Sequence, residues 1–114
     1  TLRASGGAGP TPPRGAATGE QFEQTIYVNG KGLFFTVQKA LPLFKDGGSI
    51  ILTSSVSNVW GLPGCSTYAA SKAAVRNFAR AWTMELKDRK IRVNCVSTLP
   101  PDITALENTT VFTA

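Results

Sequence analysis

The sequence predicts an α/β fold, a parallel sheet whose strands are connected by long helices. Apolar residues recur at helical spacing from Phe22 to Leu41, and two short apolar runs, Ser49 to Ser54 and Ile91 to Val96, read as strands. Between those runs lies a second helical stripe with a short connection at each end, which makes a βαβ unit. With 114 residues the chain has room for one module, and its 42% hydrophobic and 17% charged content sets disordered and fibrous classes aside.

Residues 1–17 are expected to be a loop, with Thr1 to Ser5 open to a second reading as the tail of an earlier strand. The run Gly9-Pro10-Thr11-Pro12-Pro13-Arg14-Gly15 sustains neither a helix nor a ladder, so the stretch up to residue 17 is expected to be a loop. Thr18, with Gln21 three residues on, can cap a helix that runs to about Phe44 through Phe22, Ile26, Leu33, Phe34, Val37 and Leu41. Gly30 and Gly32 weaken that helix beside Asn29, which marks its middle as a place to look for function.

Lys45-Asp46-Gly47-Gly48 is a stop, and the Ile50-Ile51-Leu52 run that follows is apolar rather than alternating, as in a buried parallel strand. After Gly61, Pro63 and Gly64 a helix is expected from near Ser66 to between Asp88 and Lys90. Its apolar stripe is Val75, Phe78, Ala79, Trp82 and Leu86. The next strand closes the βαβ unit, and residues 98–114 are expected to be irregular.

Right-handed crossovers place both helices on one face of the sheet and leave the other face without a cover. Parallel sheets normally bury both faces, so the expectation is a truncated domain, with residues 18–97 as its strand and helix units.

The net charge of +5 is spread along the chain; the one dense group, Lys87 to Arg92, reads as a solvated helix end, which argues against a nucleic-acid partner. No apolar run approaches the roughly 18 residues of a membrane span, and no signal peptide is evident. Cys65 and Cys95 lack metal-ligand spacing and there is no His, so no metal is expected and a reduced, cytoplasmic setting fits.

Four residues form a chemical constellation: Asn29 in the first helix, Ser55 at the end of a strand, and Tyr68 and Lys72 on the second helix. Tyr68 and Lys72 are one helical turn apart, where an ammonium favours loss of the phenol's proton. Ser55 sits at a strand's carboxyl end, the side on which open α/β sheets bind ligands, and its hydroxyl can hold a carbonyl or alkoxide oxygen. Singly, each has a plain structural reading: a packed ring beside a solvated amine, a turn former, an amide bonded within a bent helix. Together, in this order, they suit proton transfer to a substrate oxygen.

The segments Tyr27-Val28-Asn29-Gly30-Lys31-Gly32, Gly48-Ser49-Ile50-Ile51-Leu52-Thr53-Ser54-Ser55, Tyr68-Ala69-Ala70-Ser71-Lys72-Ala73-Ala74 and Ile91-Arg92-Val93-Asn94 resemble the short-chain dehydrogenase/reductase family from about Glu20 to Ser97. The resemblance implies part of a doubly wound, Rossmann-type sheet, its later strands and two long helices. It also implies an NAD(P)-dependent oxidoreductase that interconverts an alcohol and a carbonyl by hydride transfer. By the same resemblance Tyr68 is the general acid/base, Ser55 positions the substrate oxygen, Lys72 binds the nicotinamide ribose, and Asn29 holds a water in a relay to Lys72. Tyr68 and Lys72 are thus also the implied contacts to NAD or NADP.

The chain departs from the family where Ala4-Ser5-Gly6 replaces Asn-Ala-Gly and Ser97-Thr98-Leu99-Pro100 replaces Ser-Pro-Gly; it also lacks a Gly-x-x-x-Gly-x-Gly turn. Weak cofactor binding by the chain alone is therefore expected. Family members usually pair their long helices with those of a second subunit, which implies a homo-oligomer, although Phe34, Phe35, Phe78 and Trp82 also suit a core. The alternative reading is a non-catalytic remnant that associates only through its helices.

Overall fold

In the computed structural model, which describes residues 1–5, 16–61, 63–99 and the backbone of 112–113, β1 (Leu2–Ser5), β2 (Ser49–Ser55) and β3 (Arg92–Thr98) lie side by side and parallel in that order. Ala4, Leu52 and Cys95 are register partners, as are Leu2, Ile50 and Val93. Side chains alternate across a strand, so these rows face one way and build one core with Leu33, Val37, Val75, Ala79 and Trp82 from the helices. Both helical layers therefore cover one face, as the crossover argument requires. Ile51, Thr53 and Val96 point the other way and are half-buried. A two-residue strand, β4 (Phe112–Thr113), pairs antiparallel with β3 within the stretch expected to be irregular. The rest of that stretch beyond Leu99 lies outside the described residues, as do residues 6–15 of the loop expected over 1–17; Leu2–Ser5 of that loop is instead strand, paired with β2.

The first helical run starts where the sequence places it. Thr18 accepts from the Gln21 N–H at 3.2 Å and the Gln21 side chain accepts from the Thr18 N–H at 3.0 Å, a complete capping box. The expected single helix is instead four pieces end to end: α1 (Gly19–Ile26), a π-helical segment (Tyr27–Gly32), α2 (Leu33–Ala40) and a short 3₁₀ turn (Leu41–Leu43). The wide turn falls on Asn29, Gly30 and Gly32. A Cβ on Gly32 would lie 3.3 Å from the Tyr27 carbonyl oxygen, so the missing side chain lets that turn form. Phe22, expected on the apolar stripe, is exposed, because α1 meets α3 and not the sheet.

Gly47, at φ 87, makes the left-handed turn into β2. The second helix, α3 (Ser66–Glu85), begins where expected and stops a few residues early. Phe34, Phe78 and Trp82 meet as aromatic neighbours, with Phe78 and Trp82 stacked at 5.2 Å; Trp82 lies in the core, Phe34 and Phe78 pack half-buried against it, and Phe35 is exposed. Arg89 corrects the reading of Lys87 to Arg92 as a purely solvated group. Its guanidinium donates to the Leu41 and Phe44 carbonyls at 3.2 and 2.8 Å, joining the end of the first helical run to the end of the second.

Candidate active site

The π-helical segment directs Asn29 inward. Asn29 is fully buried, and its Nδ2 donates to Ser71 Oγ at 3.0 Å; Ser71 Oγ in turn donates to the Tyr68 carbonyl at 2.6 Å. Beside the bond within a bent helix that sequence reasoning allowed, Asn29 makes one across helices. Asn29 thereby meets α3 at the residue before Lys72.

Tyr68 and Lys72 share one side of α3, with Lys72 Nζ 5.7 Å from the centre of the Tyr68 ring. Lys72 is buried and Tyr68 half-buried. The ammonium donates to the Thr53 carbonyl at 3.3 Å, and the Ser54 hydroxyl donates to the Lys72 carbonyl at 2.8 Å. Head group and main chain of one residue are thus both tied to β2. Ser55, the next residue of that strand, is buried and accepts from the Ser57 N–H at 3.3 Å, capping the 3₁₀ turn Val56–Asn58. Its turn-forming role is real, and accepting a bond leaves its own proton able to reach a substrate oxygen.

Burial pulls the Lys72 ammonium below its ordinary range, and the facing Cys95 thiol partly opposes the shift. Burial pushes the Cys95 thiol up, against a Ser54 hydrogen bond and the nearby charges of Arg76 and Lys72. A buried ammonium whose charge is weakly favoured is a suitable partner for proton traffic at the end of a sheet. No group of three or more His, Cys, Asp or Glu is placed to hold a metal among the described residues, and no helix there is long and apolar enough to cross a membrane.

All four sequence-derived residues therefore surround the first turns of α3 and the end of β2. Sequence reasoning missed Ser54, Asn58, Ser71 and Ser97. Asn58 Nδ2 donates to Ser54 Oγ at 3.0 Å and to Ser97 Oγ at 2.8 Å. The serine pair Ser54-Ser55 and an Asn just beyond the strand were the only local hints. Thr98, one of the departures, donates from Oγ1 to the Ser54 carbonyl at 3.2 Å, so the changed loop is tied into this network.

Residues 4–113 match a family model described as enoyl-(acyl carrier protein) reductase. The chain is 51% identical over 98 residues to oxidoreductase asL5 of Sarocladium schorii, covering 84% of this chain and 39% of that one. Its fold matches a dehydrogenase/reductase from Sinorhizobium meliloti 1021 with a TM-score of 0.83 and 31% identity, over 89% of this chain and 40% of that structure. It also matches the angucycline C-6 ketoreductase LanV with bound NADP, with a TM-score of 0.76 and 35% identity, over 83% and 38% of the two chains. The chain thus spans about two-fifths of the length of these relatives.

Proposed function

Since the chain belongs to the short-chain dehydrogenase/reductase family, we propose that it forms the catalytic, later portion of a single Rossmann-type domain in an NAD(P)-dependent oxidoreductase that interconverts a ketone and an alcohol. The observation that carries this reading is the buried Lys72 ammonium, held to the end of β2 within 5.7 Å of the Tyr68 ring.

The residues present suit one half of a nicotinamide cofactor. An ammonium and a phenol at the carboxyl ends of parallel strands match a ribose diol, whereas the described residues include no glycine-rich turn to cradle a diphosphate. When bound, the cofactor gives or takes the hydride. In this reading Tyr68 Oη passes a proton to the carbonyl oxygen in reduction, or takes it from the alcohol in oxidation. Ser55 Oγ holds that oxygen, and Lys72 Nζ holds the ribose and the charge beside Tyr68. Asn29, anchored to Ser71, orients a water that leads toward Lys72.

NADP bound to the similar angucycline C-6 ketoreductase supports a nicotinamide cofactor, NAD or NADP, and that protein's ketoreductase activity supports a ketone as substrate. The free thiols of Cys65 and Cys95 support a reduced, cytoplasmic setting. Exposed Phe35 and Met84 on the outer helix surfaces support association with a second copy. The same exposure favours the second reading, a non-catalytic chain that associates through its helices.

The test is a chimaera in which this chain replaces its counterpart in the Sarocladium relative, assayed with NADH and NADPH against a panel of ketones. The expected result is turnover that Tyr68→Phe lowers by roughly 10²–10⁴-fold with thermal unfolding unchanged. Full turnover in the Phe variant would sink the role given to Tyr68, and an inactive parent chimaera that still dimerises would favour the non-catalytic reading.

A further inference from the structure

We propose that Asn58 is a positioning residue: by strapping the carboxyl ends of β2 and β3 together and aiming the Ser54 hydroxyl at α3, it sets the place of Lys72 relative to Ser55 and Tyr68. This rests on the catalytic reading of Ser55, Tyr68 and Lys72 given above.

Ser54 and Ser97 are register partners on adjacent strands, and Asn58, at the end of the 3₁₀ turn, donates to both hydroxyl oxygens, at 3.0 and 2.8 Å. An amide nitrogen carries two protons, so each strand receives one. A serine hydroxyl has a single proton. Because Ser54 Oγ accepts from Asn58, its own proton is left for the Lys72 carbonyl, 2.8 Å away, with the Cys95 sulfur as the competing acceptor. The opposite amide orientation would draw that proton to Asn58 and leave the Lys72 carbonyl without it. While Cys95 is a neutral thiol, the weaker acceptor, donation runs from Asn58 through Ser54 to the main chain of α3.

The strap acts where chemistry is placed. Ser54 precedes Ser55, and Ser97 precedes Thr98, whose hydroxyl closes a second link to the Ser54 carbonyl at 3.2 Å. Lys72 is then held at both ends by β2, its carbonyl through Ser54 and its ammonium through the Thr53 carbonyl. A small displacement of the strand end would move Ser55 and Lys72 apart, and misplacement of this kind slows a reaction far more than it destabilises a fold. Among the described residues, the titratable groups that face Lys72 include Cys95 from β3 and Tyr68 on its own helix.

Two measurements on Asn58→Leu, which keeps size and loses both donors, test the proposal. In the chimaera described above, kcat should fall by about 10-fold to 100-fold with KM for ketone and cofactor near the parent values, and the pH profile of kcat should move. In the 114-residue chain, NMR titration of the Lys72 side chain, compared in a Cys95→Ala background, should shift toward the ordinary lysine range as the ammonium gains water. Asn58→Ser, able to donate one bond, should fall between parent and Leu, and it replaces the Leu variant if that fails to fold. A lower melting temperature with unmoved pH profile and unmoved Lys72 titration would reduce Asn58 to a structural strap and overturn the proposal. An inactive parent chimaera would strike the catalytic reading instead, and the Lys72 titration alone would then decide Asn58, with no change counting against it.

Discussion

Asn29 Nδ2 lies 3.0 Å from Ser71 Oγ, so a side chain from the middle of the first helical run is bonded to the second between Tyr68 and Lys72. Both partners are buried. The π-helical segment is thereby coupled to α3 by a polar contact in a setting where an unmade bond is expensive.

Asn29→Ala should lower unfolding stability by about 1–3 kcal/mol, the usual penalty for disrupting a buried hydrogen bond. Ser71→Ala should do likewise, and the double variant should lose less than the sum, because the two changes remove one shared bond. Urea unfolding of the four chains measures the coupling; strict additivity would show that the contact contributes nothing.

At the opposite end of the sheet, Arg89 makes two bonds to carbonyls and one ion pair, to Asp46 at 3.4 Å. The Asp46 carboxylate is 73% exposed, so solvent screens that pair. Arg89→Ala should therefore destabilise by about 1–3 kcal/mol through the lost charge-assisted bonds to the Leu41 and Phe44 carbonyls, whereas Asp46→Asn should stay within about 0.5 kcal/mol. Equal losses in the two variants would assign the stability to the ion pair.

Ser57 Oγ is buried and has no hydrogen-bond partner among the described residues. Removing an unsatisfied buried hydroxyl relieves its desolvation, so Ser57→Ala should raise stability by about 1 kcal/mol. Ser57→Val adds volume in the same place and separates polarity from packing. A clear loss of stability in Ser57→Ala, measured by thermal unfolding, would mean that the hydroxyl is bonded in solution.

Alkaline pH should act through Lys72 and Cys95 with opposite signs. The folded-state pKa of Lys72 is lowered, so between that value and its ordinary 10.5 the unfolded chain holds more protons and stability rises with pH. That of Cys95 is raised, so from its ordinary 9.0 upward the unfolded chain loses a proton first and stability falls with pH. Cys95→Ala should abolish the fall and leave the Lys72 rise, and Lys72→Met should abolish the rise. Unfolding midpoints measured from neutral pH upward give both slopes, and a Cys95→Ala chain with an unchanged alkaline fall would contradict this assignment.

Order and type of element were legible because each rests on neighbours in sequence. Thr18 and Gln21 announce the start of α1, Gly47 and Gly48 the turn into β2, and the spacing of Val75, Ala79 and Trp82 the buried face of α3. Asn29, Ser55, Tyr68 and Lys72 were legible as a set, since their order and contexts repeat a familiar arrangement. The break of the first helix was only half legible: two glycines marked the place, but the wide turn depends on the Tyr27 carbonyl approaching Gly32 and on a partner for Asn29 in another helix.

The α/β alternation, the helix-covered face of the sheet and the four residues around which a site could form follow from the order of the amino acids, because periodicity, caps and turns are local properties of the chain. That Asn58 joins Ser54 to Ser97, that Ser71 receives Asn29, and that Arg89 closes the far end on Leu41 and Phe44 emerges once the elements are packed. Most of these bonds connect residues about forty positions apart and arise from where packed elements bring single polar atoms. A donor and an acceptor that meet once, far apart in sequence, leave no repeating pattern to read.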